Sequence, residues 1–273
     1  MIADDNTEYL INDRLSFQRF LGLSLGDKVP DAKTIWLFRE NLSKSKADRK
    51  LFELFTKQLE SQNVITHTGS IVDASFVDVP RQRNSREENK KIKNGETPED
   101  WKKNKRRQKD TDARWAKKNN ETHFGFKDNV KVDKESKLID DYTVTNAAVH
   151  DSQEIVNLID EKDEKLYADS AYVGEELHEE IQKINPELQI NIHEKAYRNR
   201  PLTDEQKESN REKSRIRVRV EHVFGHMTNS MGGMFIRCIG LRRASCAIAL
   251  KNLAYNLSRY AYLCRAKKSA DPA

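Results

Sequence analysis

Apolar residues recur at helical spacing through the first sixty positions, and the pattern then changes. Phe17, Phe20 and Leu21 form one such set, Ile35, Phe38 and Leu42 a second that starts near Asp31, and Leu51, Phe52, Phe55 and Leu59 a third. Gly22, Gly26 and Pro30 punctuate the first two. This predicts a unit of three helices between residues 8 and 62, either a helix-turn-helix reader of DNA or a plain packing unit. Residues 70–77 (SIVDASFV) are short, apolar and partly β-branched, as a buried strand should be. Residues 81–120 show no clear period. Two alternating runs, 123–132 and 137–146, flank Asp133-Lys134-Glu135-Ser136 and predict a hairpin. Asp151-Ser152 fits the cap of a short helix through Ile155, Leu158 and Ile159. A strand over 165–168 ends at Asp169, a helix covers 174–184, a strand 188–192, and a helix about 210–227. The chain closes with an amphipathic helix whose expected buried stripe is Leu250, Leu253, Leu257, Tyr260 and Cys264. A three-strand meander followed by alternating helices and strands implies an α/β fold, a mixed five-strand sheet covered by helices.

Composition sharpens this only locally. The chain has 273 residues, 36% hydrophobic and 34% charged, with a net charge of +5 that says little about partners. Its distribution says more. Residues 81–120 hold 15 Lys/Arg against 7 Asp/Glu, and residues 237–268 hold eight basic residues and no acidic one. Clustered positive charge is the footprint of phosphate neutralisation, although a solvated loop has the same composition. Lys103, Lys105, Arg106 and Arg107 are the densest group. Trp101 and Trp115, set among these cations, suit either base stacking or the anchoring of a loose insertion. Three cysteines without a CxxC pair argue against a disulfide framework or a zinc site, and Cys246 and Cys264 read as core. No stretch approaches the roughly 20 apolar residues of a membrane span, and the first residues lack signal-peptide character. A cytoplasmic, nucleoid-associated protein is the expectation.

Three acids stand at special places in the element order. Asp73 lies in the first strand, Asp169 directly follows the fourth, and Glu221 falls on the helix after the fifth, at the margin of the apolar stripe Ile216, Val220, Val223, Phe224 and Met227. Each has a bland alternative, a turn hydrogen bond for the aspartates and an i,i+4 pair with Arg217 for Glu221. Together they present carboxylates from two strands and a helix, the donor set that holds a pair of hard divalent cations for phosphodiester chemistry. Arg215, Arg217 and Arg219 on the same helix offer planar donor forks suited to phosphate. His150 is a weaker candidate beside them.

The segments Ile71-Val72-Asp73-Ala74-Ser75, Asn146-Ala147-Ala148-Val149-His150-Asp151-Ser152 and Tyr167-Ala168-Asp169-Ser170-Ala171-Tyr172 resemble those of DDE transposases, and so above all does NREKSRIRVRVEHVFG from Asn210 to Gly225. The chain looks like the insertion-sequence-five group of the insertion-sequence-four superfamily, a resemblance that extends to LINDRLSFQRFLGL and TIWLFRENL near the start. It implies a ribonuclease-H-like core, a catalytic and metal-binding triad of Asp73, Asp169 and Glu221, two Mg²⁺ or Mn²⁺ ions, and a homodimer acting on inverted-repeat ends and target DNA. The expected layout is a helical unit over 1–66, a catalytic domain over 67–268 with a basic insertion at 81–120, and a tail over 269–273. Two features depart from the superfamily: Ser214 stands where it has Tyr, and Thr228 where it has Lys. Such relatives also carry more residues ahead of YLINDRLSF. An inactive DNA-binding remnant and a nuclease without strand transfer are the competing readings.

Overall fold

The computed structural model describes residues 3–196 and 201–270. Four helices open the chain, one more than the spacing predicts: α1 (Asp4–Asp13), α2 (Leu15–Phe20), α3 (Ala32–Ser45) and α4 (Ala47–Ser61). Asp31 caps α3, its carboxylate accepting from the Thr34 amide at 2.7 Å. Phe17, Phe20, Leu21, Phe38 and Leu51 are exposed, whereas Leu42, Phe52 and Leu59 are buried. A thin helical layer docked on one side has room inside for only one stripe per helix. Phe52 enters the main core, its ring meeting Tyr142 edge-on at 4.8 Å, and Arg49 donates to the Tyr142 carbonyl at 2.8 Å.

The remaining elements follow in order: β1 (Ser70–Asp78), α5 (Arg86–Lys93), α6 (Lys103–Gln108), β2 (Arg114–Lys118), β3 (Glu121–Asp133), β4 (Ile139–Asn146), β5 (Lys165–Ala168), α7 (Glu175–Ile184), β6 (Gln189–Ile192), α8 (Asp204–Asn229) and α9 (Leu241–Ala270). The strands form one sheet in the order β2-β3-β1-β5-β6, with β4 also along β3. Strands β1, β2 and β4 each run antiparallel to β3, while β5 and β6 run parallel to β1. This mixed, helix-covered sheet is a ribonuclease-H-like arrangement. It has six strands where five were expected, because β2 lies hidden in the charged stretch before residue 120. Asn119 and Asn120, both at positive φ (50° and 66°), close the β2–β3 hairpin in the backbone region that two-residue hairpin turns require.

Successive β1 residues face opposite layers. Ile71 joins Val130, Val132, Val220, Val223 and Met227 beneath α8 and α9. Val72 joins Leu166, Ala168, Tyr172, Ile155 and Ile181 on the other face. Asp73 therefore shares the α8 face with Ile71. Gly125, where β3 leaves β1, admits no side chain: a Cβ there would lie 2.2 Å from the Val77 carbonyl oxygen.

Four local expectations need correction. The segment after residue 151 is a pair of 3₁₀ turns, capped by the His150 ring and not by Asp151. Helix α8 begins at Asp204, six residues ahead of the expected start, because Thr203 and Gln206 form a capping box. The buried stripe of α9 is Ala244, Cys246, Ala247, Ile248, Ala249, Asn252, Tyr255 and Asn256, while Leu257 is half exposed and Cys264 only partly covered. Asn252 and Asn256 can be buried there because they bond the sheet, Asn252 to Asp128 and Asn256 to both polar backbone groups of Ile139. Helix α9 continues through Ala270, past the expected start of the tail at residue 269; residues 271–273 lie outside the described ones.

Candidate active site

Strands β1 and β5 run parallel with Ile71 opposite Tyr167, two residues before Asp73 on β1 and two before Asp169, which directly follows β5. Neighbouring strands lie about 4.8 Å apart. The Asp169 carboxylate turns the chain at the end of β5 by accepting from the Ala171 amide at 2.7 Å. Asp73 accepts from its neighbour's amide, Ala74, at 2.8 Å, and its other oxygen stands 3.3 Å from Arg217 Nη2. Burial pushes the Asp73 carboxyl above the usual range. The Ala74 amide and the Arg217 guanidinium oppose that shift, and the like charge of Asp169 adds to it. Lys118, at the tip of the β2–β3 hairpin, is a further positive charge acting on Asp73.

Helix α8 is fastened to the strand ends by the first residues of its motif. His193, just past β6, reaches the Ala168 carbonyl with Nδ1 at 3.2 Å and the Ser214 hydroxyl with Nε2 at 2.9 Å. Asn210 accepts from the Glu194 amide at 2.9 Å, and Lys213 donates to the Ile192 carbonyl at 2.9 Å. Ser214 thus has a docking role at the position where the superfamily has Tyr. One turn on, Arg217 reaches Asp73. A further turn on, about 5.4 Å along the axis, comes Glu221. It is exposed and makes no hydrogen bond or ion pair among the described residues. The alternative pairing of Glu221 with Arg217 is not seen, since Arg217 pairs with Asp73. The structure therefore brings Arg217 onto Asp73, with Asp169 near enough to act on Asp73 as a like charge, and sets Glu221 one turn away on the same side of α8. Arg215 is exposed, Arg219 is bonded to the Lys134 carbonyl and to Glu135 at the β3–β4 turn, and Thr228 is exposed.

The opposite wall holds residues that the sequence reading missed. The His150 ring binds the amide and hydroxyl of Ser152 and so serves its own turn. Its neighbour Asp151 is held by Lys127 Nζ at 2.6 Å. The Tyr172 ring is buried, and its hydroxyl lies in the field of Asp73, Asp151, Asp169 and Arg217. Asp151 and Tyr172 both lie within the segments quoted for the family resemblance, but nothing in their spacing marked them.

Asp73, Asp169 and Glu221 offer hard oxygen donors of the kind a magnesium-type ion takes, and a divalent cation would offset the repulsion between the two aspartates. Among the described residues, the group of three whose ligand atoms all lie within 4.8 Å of one another is a different one, Glu60, His67 and Asp140. It lies by the opposite ends of β1 and β5, and a cation there would have to displace a proton and an ammonium. Lys131 Nζ already bridges Asp140 at 2.7 Å and Asp163 at 3.1 Å, and hydrogen bonding to Asp163 is the main cause that raises His67 to about 9. A protonated imidazole is no ligand. An apolar cavity of about 420 Å³ lies between α1, α3 and α9, lined in part by Ile35, Trp36 and Leu250, and none of its lining residues belongs to the carboxylate group.

In the basic insertion, Lys103, Arg106 and Arg107 are exposed on α6. Lys105 is tied to Glu88 at 2.6 Å, and Glu88 also accepts from the buried Trp101 indole. Trp101 is an anchor, not a stacking platform, whereas Trp115 is exposed with Arg81 over its ring at 5.8 Å. Of the C-terminal cations, Arg242 pairs with Asp48, Arg243 with Glu40, Lys251 with backbone carbonyls and Arg259 with the Ser136 carbonyl.

One carboxylate lies within β1, one just past the end of the parallel β5, and a third on the crossing helix α8. Residues 65–257 match the family described as Transposase DDE domain, and residues 1–41 match the family described as Transposase domain (DUF772). The chain belongs to the DDE transposases, which cut and transfer DNA strands with divalent metal. No solved structure matches it. Among the described residues, no helix is long and apolar enough to cross a membrane.

Proposed function

We propose that this protein is the transposase of an element of the insertion-sequence-five group, binding its terminal inverted repeats as a homodimer, cleaving there and joining the freed ends to target DNA. The observation that carries this reading is Asp73 on β1, paired by Arg217 of α8 and acted on by the like charge of Asp169 just past the adjacent parallel strand β5. Asp73, Asp169 and Glu221 would hold two Mg²⁺ or Mn²⁺ ions, which when bound activate the attacking oxygen and steady the leaving one. The site offers no covalent nucleophile. Water therefore attacks first, and the 3′ oxygen leaves with its electron pair and takes a proton. The resulting 3′-hydroxyl then attacks a target phosphodiester and displaces its 3′ oxygen. Arg217 pairs with Asp73 and opposes the upward shift that burial gives its carboxyl. Arg215, Lys103, Arg106 and Arg107, with Lys105 and Arg219 as secondary contacts, hold the DNA backbone. The helical unit over 1–66 and the insertion over 81–120 supply end recognition, and 67–268 supply the chemistry.

The test uses a duplex carrying the inverted repeat that flanks the reading frame. The parent protein nicks it with Mg²⁺ or Mn²⁺ and yields joined products. Asp73→Asn and Asp169→Asn lower cleavage roughly 10²–10³-fold, the scale for losing one preorganised charge-stabilising group, while DNA binding persists. Glu221→Gln loses less. An Asp73→Asn protein that cuts as fast as the parent overturns the metal-site reading, and a parent that binds ends without ever cutting is a DNA-binding remnant.

A further inference from the structure

At about 100° per residue, the apolar stripe of α8 (Ile216, Val220, Val223 and Met227) separates two polar flanks. Arg217 and Glu221 share the flank that reaches Asp73. Arg215, Arg219, His222 and His226 recur at i, i+4, i+7 and i+11 on the other. Against this second flank stands the β3–β4 turn, clamped by both long helices. Arg219 donates to the Lys134 carbonyl, Arg259 Nε to the Ser136 carbonyl at 2.8 Å, and the Tyr255 hydroxyl to the Lys137 carbonyl at 2.8 Å. Lys137 itself is held in the left-handed region at φ 61°. Its ammonium lies 2.9 Å from His222 Nδ1. An ammonium only donates, so Nδ1 accepts and the ring proton sits on Nε2, a further donor on an exposed ring. Lys137 makes no ion pair among the described residues, and Glu135 in the same turn is taken by Lys134 and Arg219. After burial, Arg259 and Arg219 hold the Lys137 ammonium below the ordinary lysine range, and no carboxylate offsets them. Helix α9 has no acid at all, and α8 from Arg215 to Asn229 has Glu221 alone. Cations gathered on a fixed backbone without counter-charge concentrate anions from solution.

We propose that Lys137, with His222 and Arg259 beside it, is a binding site for a backbone phosphate of DNA, on the flank of α8 away from the carboxylates. This rests on the DNA-binding reading above and gives it a second point of contact. Between the two flanks the outer surface of α8 presents Val218 and Gly225, neither charged, so a duplex laid across the helix meets no acid there but Glu221, itself assigned to metal. The Lys137 ammonium keeps two donors after its bond to His222. A phosphate contact of this kind positions the duplex and does not depend on its sequence.

The test is binding of a fluorescent duplex of arbitrary sequence to the full chain across a range of salt, with EDTA present so that the carboxylate site plays no part. Lys137→Gln should lower the slope of log affinity against log salt by about 0.9, one phosphate contact. Lys137→Arg, which keeps the charge on the same turn, should hold the parental slope. So should Lys44→Gln, which removes the same charge from α3, where Lys44 lies 3.9 Å from Glu40. A parental slope in Lys137→Gln overturns the site; where changing Lys103, Arg106 and Arg107 still lowers the slope, the DNA-binding reading stands without it. An equal drop in Lys44→Gln would make the effect one of net charge, and an equal drop in Lys137→Arg one of a disturbed turn; either overturns the site. If the parent binds no duplex at any salt, the DNA-binding reading falls, and the proposal with it.

Discussion

Asp128 lies on β3 beneath α9 with no exposed surface, accepting one hydrogen bond from Asn252 Nδ2 at 3.0 Å. Its Oδ2 and the Asn252 Oδ1 are both buried without partners. Burial pushes this carboxyl up to about 7, against the pull of Asn252 and Lys251. A folded-state value raised above the unfolded one means that the stabilisation is complete below the ordinary 3.8 and is lost as pH climbs through about 7. His67 works in the same direction over a higher window. Its hydrogen bond to Asp163 is the main cause that raises it to about 9, so its contribution is complete below 6.5 and disappears as pH passes about 9. The melting temperature should therefore fall from acid toward alkaline pH. Asp128→Asn should flatten the fall in the lower window, and His67→Gln should flatten it in the upper one. An Asp128→Asn protein with the parental slope between pH 4 and 7 would show that Asp128 is ionised throughout. Neither residue was marked by the sequence. A buried carboxyl is disclosed by what packs over it, and Asn252 looked like the polar face of an amphipathic helix.

The elements divide by how their pattern is encoded. Strand β1, the β3–β4 hairpin, β5 and α7 were legible because burial on one or both sides writes itself into apolar runs and alternation. Asp73 and Asp169 stand out in the sequence as acids within and just after two of those strands. Strand β2 was not, because Arg114, Lys117 and Lys118 on an edge strand have charged side chains that a solvated loop would also carry. The six extra residues of α8 escaped for the opposite reason: its first turns rest on caps and solvent, not on an apolar stripe. Within the insertion, the same charge density hides two kinds of lysine. Replacing Lys103, Arg106 and Arg107 by Gln should reduce the slope of log affinity for DNA against log salt by up to about 0.9 per lost phosphate contact. Lys105→Gln should change that slope less, because Lys105 is bonded to Glu88 and lies over the Trp101 ring at 5.1 Å. Equal effects from both changes would mean that the Glu88 network does not hold Lys105 away from DNA.

On the scale of the molecule, the N-terminal helices and the sheet share one interior. Phe52 of α4 packs in the same cluster as Ile71 of β1 and Val220 of α8, and Arg243 of α9 pairs with both oxygens of Glu40 on α3 at 2.8 Å. Much of the C-terminal positive charge, which the composition offered to DNA, thus holds the protein to itself. What faces outward around Asp73 and Asp169 is the exposed part of α8, with Arg215 and Glu221, and the tip of the β2–β3 hairpin with Lys118. The central claim is that metal gathers at these carboxylates and nowhere else in the chain. Its most direct test is anomalous scattering from crystals grown with Mn²⁺. The account predicts two peaks roughly 3.5–4 Å apart between Asp73, Asp169 and Glu221. A peak at Glu60, His67 and Asp140 with none between Asp73 and Asp169 would contradict it.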